Sequence, residues 1–341
     1  MHSSAIGSRK IGYSCSYAPL EVLDAFGLIP MRTFGSPSAP NVCDAYIHNN
    51  FCGYTKNVIN TYQGQDMLFV DTCCQMKRVH DAWKESFDGL SYLLNLPRTN
   101  TAESRRFWVD SLKDMISYLE GSLGVRFDSR RLNQAIQRRN TLRASLRRVE
   151  ELLLQNQIPS HRYLELVHQI QEEGVEEAIA RVDSFLKEQE AAPWRSDLPV
   201  PILVTGSIIA ALPLAKTVEE MGGNVVYFDT CCTSRWYCQK ISEGTEPFEA
   251  LAAGYLGQIP CPRMNQSFER FALLRQIIRE RQVKGVIHHM LKFCDPFIYE
   301  AHPFKLSLEE EGLPLLRIES DYDFGVSGQI STRIHAFMEM I

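Results

Sequence analysis

Six short apolar, β-branched runs limit most tightly what this chain can fold into: 10–13, 67–70, 202–205, 225–228, 283–291 and 313–318. Each is bounded by segments of helical period, with no tight hairpin dipeptide between successive runs. Strands joined through helices pair in parallel, because a parallel crossover needs a connection of a dozen residues or more. The chain therefore reads as an α/β protein. At 341 residues with 45% hydrophobic content it is too long for one ordinary domain.

Between Pro97 and Pro193 the pattern changes to long stretches rich in Leu, Glu, Arg and Gln. Leu132, Ile136, Leu142, Leu146, Val149 and Leu153 trace one apolar stripe. The expected organisation is an N-terminal α/β domain over 1–97, a helical segment and linker over 98–197, and a C-terminal α/β domain over 198–341. Both sheet domains are expected to be Rossmann-like, of flavodoxin type, with the polar segment 188–197 leading into the second. An internal echo supports two halves: Phe69-Val70-Asp71-Thr72-Cys73-Cys74 resembles Tyr227-Phe228-Asp229-Thr230-Cys231-Cys232. Each cysteine pair follows a strand-like run, at the strand end where open α/β sheets collect their ligands.

Thirty-six basic against 41 acidic residues leave a net charge of −5, with no basic run dense enough to track a phosphate backbone, so nucleic acid is not an expected partner. The polar start, Met1 to Lys10, has no secretory core, and the most apolar window, 199–215, is broken by prolines and by Thr205-Gly206-Ser207. No membrane association is expected, and a cytoplasmic location is. Thiols stay reduced there, so ten cysteines point to metal binding or reactivity rather than to disulfides.

Cys15, Cys43 and Cys238 read as small buried hydrophobes, because no local signal singles them out. Cys52, Cys73, Cys231, Cys261 and Cys294 differ, lying at strand ends or in loops beside glycine, proline or polar residues. A structural zinc site would show close Cys-x-x-Cys pairs, which are absent here. The adjacent pairs Cys73-Cys74 and Cys231-Cys232 diverge along an extended chain and suit one tetrahedral ion poorly. Widely spaced cysteines converging at a domain interface suit an iron–sulfur cluster, which accepts thiolates from separate elements.

At this point the chain resembles the 2-hydroxyacyl-CoA dehydratase family, which includes benzoyl-CoA reductase subunits and double-cubane reductases. The resemblance begins with 11–21, IGYSCSYAPLE, followed by 25–32, AFGLIPMR. It continues through Asn50-Phe51-Cys52-Gly53-Tyr54, Asp71-Thr72-Cys73 and His288-His289-Met290-Leu291-Lys292-Phe293-Cys294-Asp295-Pro296, and ends with Ile318-Glu319-Ser320-Asp321-Tyr322. It implies that Cys52, Cys73 and Cys294 hold a 4Fe-4S cluster. Cys74 stands where the family commonly has aspartate, which leaves the ligand of that pair open by one position. Cys231 and Cys261 resemble cysteines of the double-cubane (8Fe-9S) branch, whose additional N-terminal cysteine between the Cys52 and Cys73 motifs is missing here. A single cubane is therefore the expectation.

The resemblance further implies a radical dehydration of a 2-hydroxyacyl-CoA, in which one-electron reduction of the thioester gives a ketyl that expels the neighbouring hydroxyl. The chain contains neither a Gly-x-x-x-x-Gly-Lys-Ser/Thr loop nor a Gly-x-Gly-x-x-Gly fingerprint. That fits the family's use of a separate ATP-dependent iron–sulfur activator protein, alongside a homologous second subunit. A reductase acting on an aromatic thioester, or a non-catalytic cluster-bearing subunit, are the other readings. The Thr205-Gly206-Ser207 turn, His288, His289, Glu319 and Asp321 are weaker candidates, for which structural roles are the plainer expectation.

Overall fold

A computed structural model describes residues 9–191, 194, 199–208, 212–322 and 325–341. Two four-stranded sheets, all parallel, carry the chain. The first contains β1 (Lys10–Tyr13), β2 (Ile29–Arg32), β3 (Met67–Val70) and β4 (Ser91–Leu94), in the order β2-β1-β3-β4. The second contains β5 (Val200–Gly206), β6 (Gly223–Asp229), β7 (Gly285–Leu291) and β8 (Leu315–Ser320), in the order β6-β5-β7-β8. Both sheets thus use the same permutation, second-first-third-fourth. That permutation puts a crevice at the carboxyl ends of the two central strands, where the direction of winding reverses.

Helices surround these sheets. In the first half they are α1 (Leu20–Ala25), α2 (Gly53–Tyr62) and α3 (Cys74–Ser86). Four follow between β4 and β5: α4 (Ala102–Leu123), α5 (Ser129–Leu154), α6 (Ser160–Ile170) and α7 (Val175–Ala191). The second half adds α8 (Leu212–Glu220), α9 (Ser234–Tyr237), α10 (Pro247–Leu256), α11 (Glu269–Glu280), α12 (Asp295–Glu309) and α13 (Gly328–Met340). None among the described residues is long and apolar enough to cross a membrane.

The strand runs lie where their patterns require. Every residue of β3, β6 and β7 is buried, as expected of central or doubly covered parallel strands. Two strands escaped the sequence reading, β2 and β4, and both are edges of the first sheet. Pro30 argues against a strand at a central position but is tolerated at an edge, where one side of the ladder is unpaired. Ser91–Leu94 is short and only partly buried, which weakens its apolar signal.

The apolar stripe on α5 is buried at all six positions. Asp128 caps this helix by accepting from the Arg130 N–H at 2.8 Å, and Thr101 caps α4 through the Ser104 N–H at 3.2 Å. Buried polar groups fasten α5 to both halves. Arg139 makes a bidentate pair with Asp24 at 2.6 and 2.8 Å, Arg143 meets Glu21 at 2.7 Å, and Asn140 donates to the Ile241 carbonyl at 2.7 Å. Glu21, in the first turn of α1, is completely buried. Burial pushes its carboxyl up, but Arg143 and Tyr255 outweigh this and hold it below the usual range.

Two expectations need adjustment. Helix α7 runs through Glu188 to Ala191, so the start of the expected linker is helical, while Pro193 and 195–198 lie outside the described residues. The six-residue echo also does not superpose the halves. Cys73 follows β3, the third strand of its sheet, whereas Cys231 follows β6, the second of its own. By topology the counterpart of Cys73 is Cys294, which follows β7.

Candidate functional site

Cys52, Cys73 and Cys294 share one local geometry: each is the residue that caps the N-terminus of a helix, α2, α3 and α12 respectively. That position lies at the positive end of the helix dipole, where thiolate is favoured, and of the three only the Cys73 sulfur takes a helix N–H. The Met76 N–H points at the Cys73 sulfur, 3.3 Å away. Thr55, one turn into α2, donates to the Cys52 carbonyl at 2.7 Å and lies 3.6 Å from its sulfur.

All three cysteines line a single cavity of about 110 Å³ between the two sheets. Its walls come from the carboxyl ends of the central strands in both halves, the crevice that the strand order creates. Met76, Ile208, Leu291 and Phe297 form an apolar lining. Cys231 and Cys261 also line the cavity, and so does Cys15. The reading of Cys15 as an ordinary buried hydrophobe is therefore corrected: it lies just beyond β1, and the turn there brings it to the crevice. Cys43 and Cys238 are outside the lining. Of the open pair, Cys73 lines the cavity while Cys74 is exposed, 3.8 Å from the Arg263 guanidinium.

The thiols are costly to ionise as they stand. Burial, with the neighbouring Cys52 sulfur adding to it, pushes Cys73 up to about 12; Cys261 rises to about 11 through burial. Cys52, Cys294 and Cys15 are raised for the same first reason. A cationic metal centre reverses that balance, because coordination removes the thiol proton outright. Six sulfurs around one mainly apolar cavity suit a soft, thiolate-bound metal–sulfide core. Among the described residues no three Cys, His, Asp or Glu side chains are grouped closely enough for a single ion. A core of several atoms spans such a spread where one ion does not.

Three features hold the cysteine loops together, and sequence reasoning singled out none of them. Gln75 accepts from the Cys52 N–H at 2.7 Å and donates to the Phe293 carbonyl at 2.7 Å, so one side chain on α3 ties down the loops of both other cysteines. Gly53 packs against Tyr322, where an added Cβ would come within 2.6 Å of the Tyr322 backbone nitrogen. Tyr322 in turn donates its hydroxyl to the Phe34 carbonyl at 2.7 Å, joining the C-terminal half to the N-terminal one. Gly53 lies within the Cys52 motif and Gln75 two residues after Cys73, which is the one signal that pointed their way.

Beneath the cavity lies a buried charge network. Asp229, at the end of β6, meets Arg235 at 3.1 Å and Arg270 at 2.7 Å and accepts from Thr205 at 2.6 Å. Arg270 also pairs with Glu300. Burial raises the Asp229 carboxyl, but the two guanidiniums dominate and hold it below the usual range.

The weaker candidates take structural places. His288 and His289 are buried and lie outside the cavity lining; burial lowers them to about 3 and about 4, so both are neutral near pH 7. His288 packs edge-on against Phe304, and His289 shares a hydrogen bond with Ser320 at 2.7 Å. The Ser207 N–H is taken by the His289 carbonyl at 3.0 Å and is not on offer to a phosphate. Asp321 pairs with Lys292 at the surface, 2.8 Å, and Glu319 is exposed.

Two parallel sheets of one permutation, enclosing a cysteine-lined cavity between them, define the class: an α/β protein with a thiol-rich site between its two sheets. The chain belongs to the family described as 2-hydroxyglutaryl-CoA dehydratase, D-component, whose model matches residues 15–341. It is similar to a putative dehydratase subunit, YjiM, of Escherichia coli, at 25% identity over 98% of this chain and 92% of the relative. The (R)-phenyllactyl-CoA dehydratase beta subunit of Clostridium sporogenes is 23% identical over 100% and 94% of the two chains. A benzoyl-CoA reductase subunit of Thauera aromatica is 21% identical over 98% and 91%.

Proposed function

We propose that this chain is the iron–sulfur subunit of a 2-hydroxyacyl-CoA dehydratase, which eliminates water from an (R)-2-hydroxyacyl-CoA after one-electron activation by an ATP-dependent iron–sulfur partner protein. The observation that carries this reading is the convergence of Cys52, Cys73 and Cys294, each a helix N-cap and drawn from both halves, on one cavity. A 4Fe-4S core held there would supply a low-potential electron to the thioester.

The chain's own residues bind and shield. Each cysteine gives up its proton as metal binds, and the helix N-termini and the Met76 N–H offset the negative charge left on sulfur. Met76, Ile208, Leu291 and Phe297 keep bulk water away, which strengthens electrostatic interactions within the cavity. Gln75 keeps the three loops in register. Relatives named as beta subunits support a second, homologous subunit as partner.

The test is iron and acid-labile sulfide content, with an electronic absorption spectrum, on protein purified without oxygen, followed by dehydration assays with the activator and a panel of 2-hydroxyacyl-CoA thioesters. Cys52→Ala, Cys73→Ala and Cys294→Ala are each expected to lose cluster, and Cys238→Ala to keep it. Full cluster content in all three ligand variants would sink the reading. The likeness to a benzoyl-CoA reductase subunit supports a second one, reduction of an aromatic thioester. Turnover of that substrate without dehydration would select it.

A further inference from the structure

Three basic side chains and one carboxylate gather at the turn that carries Cys73. Asp71, two residues before that cysteine, is approached by Lys77 at 3.6 Å and by Arg98 at 3.5 Å, both too far for a well-made hydrogen bond. One carboxylate is thus shared loosely by two cations. Arg263 lines the cavity itself, with its guanidinium 3.8 Å from the exposed Cys74 sulfur, and among the described residues it pairs with no carboxylate. The Arg263 Nε and the Arg98 Nη1 are buried without a hydrogen-bond partner among those residues. The Asn265 N–H donates to the Arg98 carbonyl at 2.9 Å, which fastens the loop of Arg263 to the loop of Arg98. The positive end of α3 opens at the same turn.

This is a local excess of positive charge on a chain of net charge −5. Lys292 and Asp321, beyond Cys294, cancel each other as a pair, and Asp295 at the start of α12 adds one more carboxylate. Three cations still face two carboxylates, and the described residues that line the cavity include neither aspartate nor glutamate. The side chains of Lys77 and Arg98 are 43% and 35% exposed, so an incoming anion has mainly water to displace. Two guanidiniums with unused donors, beside an ammonium, suit an anion with several oxygens, above all a phosphate. The 205–207 turn does not compete for that ligand, because its Ser207 N–H is already taken.

We propose that Lys77, Arg98 and Arg263 form a phosphate-recognition site for coenzyme A at the mouth of the cavity, from which the uncharged pantetheine arm passes along the Arg263 wall towards the cysteines. The inference rests on the reading that the substrate is an acyl-CoA thioester. Coenzyme A carries a diphosphate and a 3′-phosphate, so its charge lies at the end remote from the thioester. That end meets the basic rim, and the neutral end meets the apolar lining of Met76, Leu291 and Phe297. Binding forms and breaks no covalent bond; the loose pairs with Asp71 give way to charge-assisted hydrogen bonds with phosphate oxygens. Interactions made so far from the reacting carbonyl serve to orient the thioester, and a free 2-hydroxy acid lacks them.

The experiment is isothermal titration of oxygen-free full-length protein with coenzyme A, pantetheine and inorganic pyrophosphate, at low and high salt. It compares the parent chain with Lys77→Gln, Arg98→Gln and Arg263→Gln. Coenzyme A is expected to bind the parent more tightly than pantetheine does, more weakly as salt rises, and in competition with pyrophosphate. Each variant is expected to lose roughly ten- to hundredfold in affinity for coenzyme A and little for pantetheine. Lys305→Gln, at an exposed position of α12, is expected to lose nothing. If Arg263→Gln does not fold, as judged by circular dichroism, the partly exposed Lys77 and Arg98 carry the test. Equal affinity for coenzyme A in the parent and all folded variants overturns the site and leaves the acyl-CoA reading standing. Pantetheine bound as tightly as coenzyme A does the same. Failure of coenzyme A to bind the parent, whether metal-loaded or stripped with a chelator, defeats both readings.

Discussion

At the residue scale, the cavity depends on residues other than its cysteines. Gly53 sits where a Cβ would lie 2.6 Å from one backbone atom and 2.8 Å from the side chain of Tyr322, and backbone cannot swing aside. Gly53→Ala is therefore expected to cost about 2 kcal/mol or more through overpacking, and to push Cys52 out of line because Cys52 is its chain neighbour. Urea denaturation measures the first effect and iron content the second. Gln75→Leu removes two hydrogen bonds between the cysteine loops, a loss of about 1–3 kcal/mol. Its larger expected effect is a lower cluster content at unchanged far-ultraviolet circular dichroism. The cysteines were legible in the sequence because cysteine is scarce and its chemistry narrow. The contacts of Gln75 with Phe293 and of Gly53 with Tyr322 were not, since each spans more than 200 positions of sequence, and neither residue type announces such a role. Cys15 was misread for a related reason: the cavity that it lines is completed by residues from the other half of the chain.

At the element scale, the organising device is a helix that begins with a cysteine at the end of a strand. It occurs at α3 and α12, the corresponding helices of the two sheets, and α2 adds a third instance from a loop. The central strands were visible as unbroken apolar runs because both of their faces are covered. The edge strands β2 and β4 were not, because partial exposure dilutes the pattern and Pro30 contradicts it. Beneath these elements the Asp229 network joins β6 to α9, α11 and α12. Asp229→Asn leaves two buried guanidiniums short of a partner and is expected to cost about 3–5 kcal/mol in denaturant unfolding. The same pair fixes a pH dependence. Because the folded-state carboxyl of Asp229 is held below its unfolded value, its contribution is complete above the ordinary aspartate range and disappears as pH falls through the depressed value. Parent and Asp229→Asn stabilities should therefore converge at acid pH, and a difference that stayed constant from about pH 7 down through the aspartate range would argue against the pairing.

At the scale of the whole molecule, the cavity is also the seam. One apolar cluster contains Phe34, Tyr54, Phe69 and Trp83 from the first half with Ile208, Leu291 and Tyr322 from the second, and it wraps the cysteine site. A group bound there by thiolates from both halves acts as a clasp between them, and its binding free energy becomes folding free energy. For a ligand held a thousandfold above its dissociation constant the gain is about 4 kcal/mol. Oxygen-free, cluster-loaded protein is therefore expected to melt several degrees above protein stripped with a chelator under reducing conditions. The difference should shrink in Cys294→Ala, which removes the proposed ligand contributed by the second half, while α5, fastened to α1 by two buried ion pairs, still holds the chain together. Equal melting temperatures for loaded and stripped protein would mean that the seam closes without help from any bound group, and that the six thiols converge for some reason other than holding one.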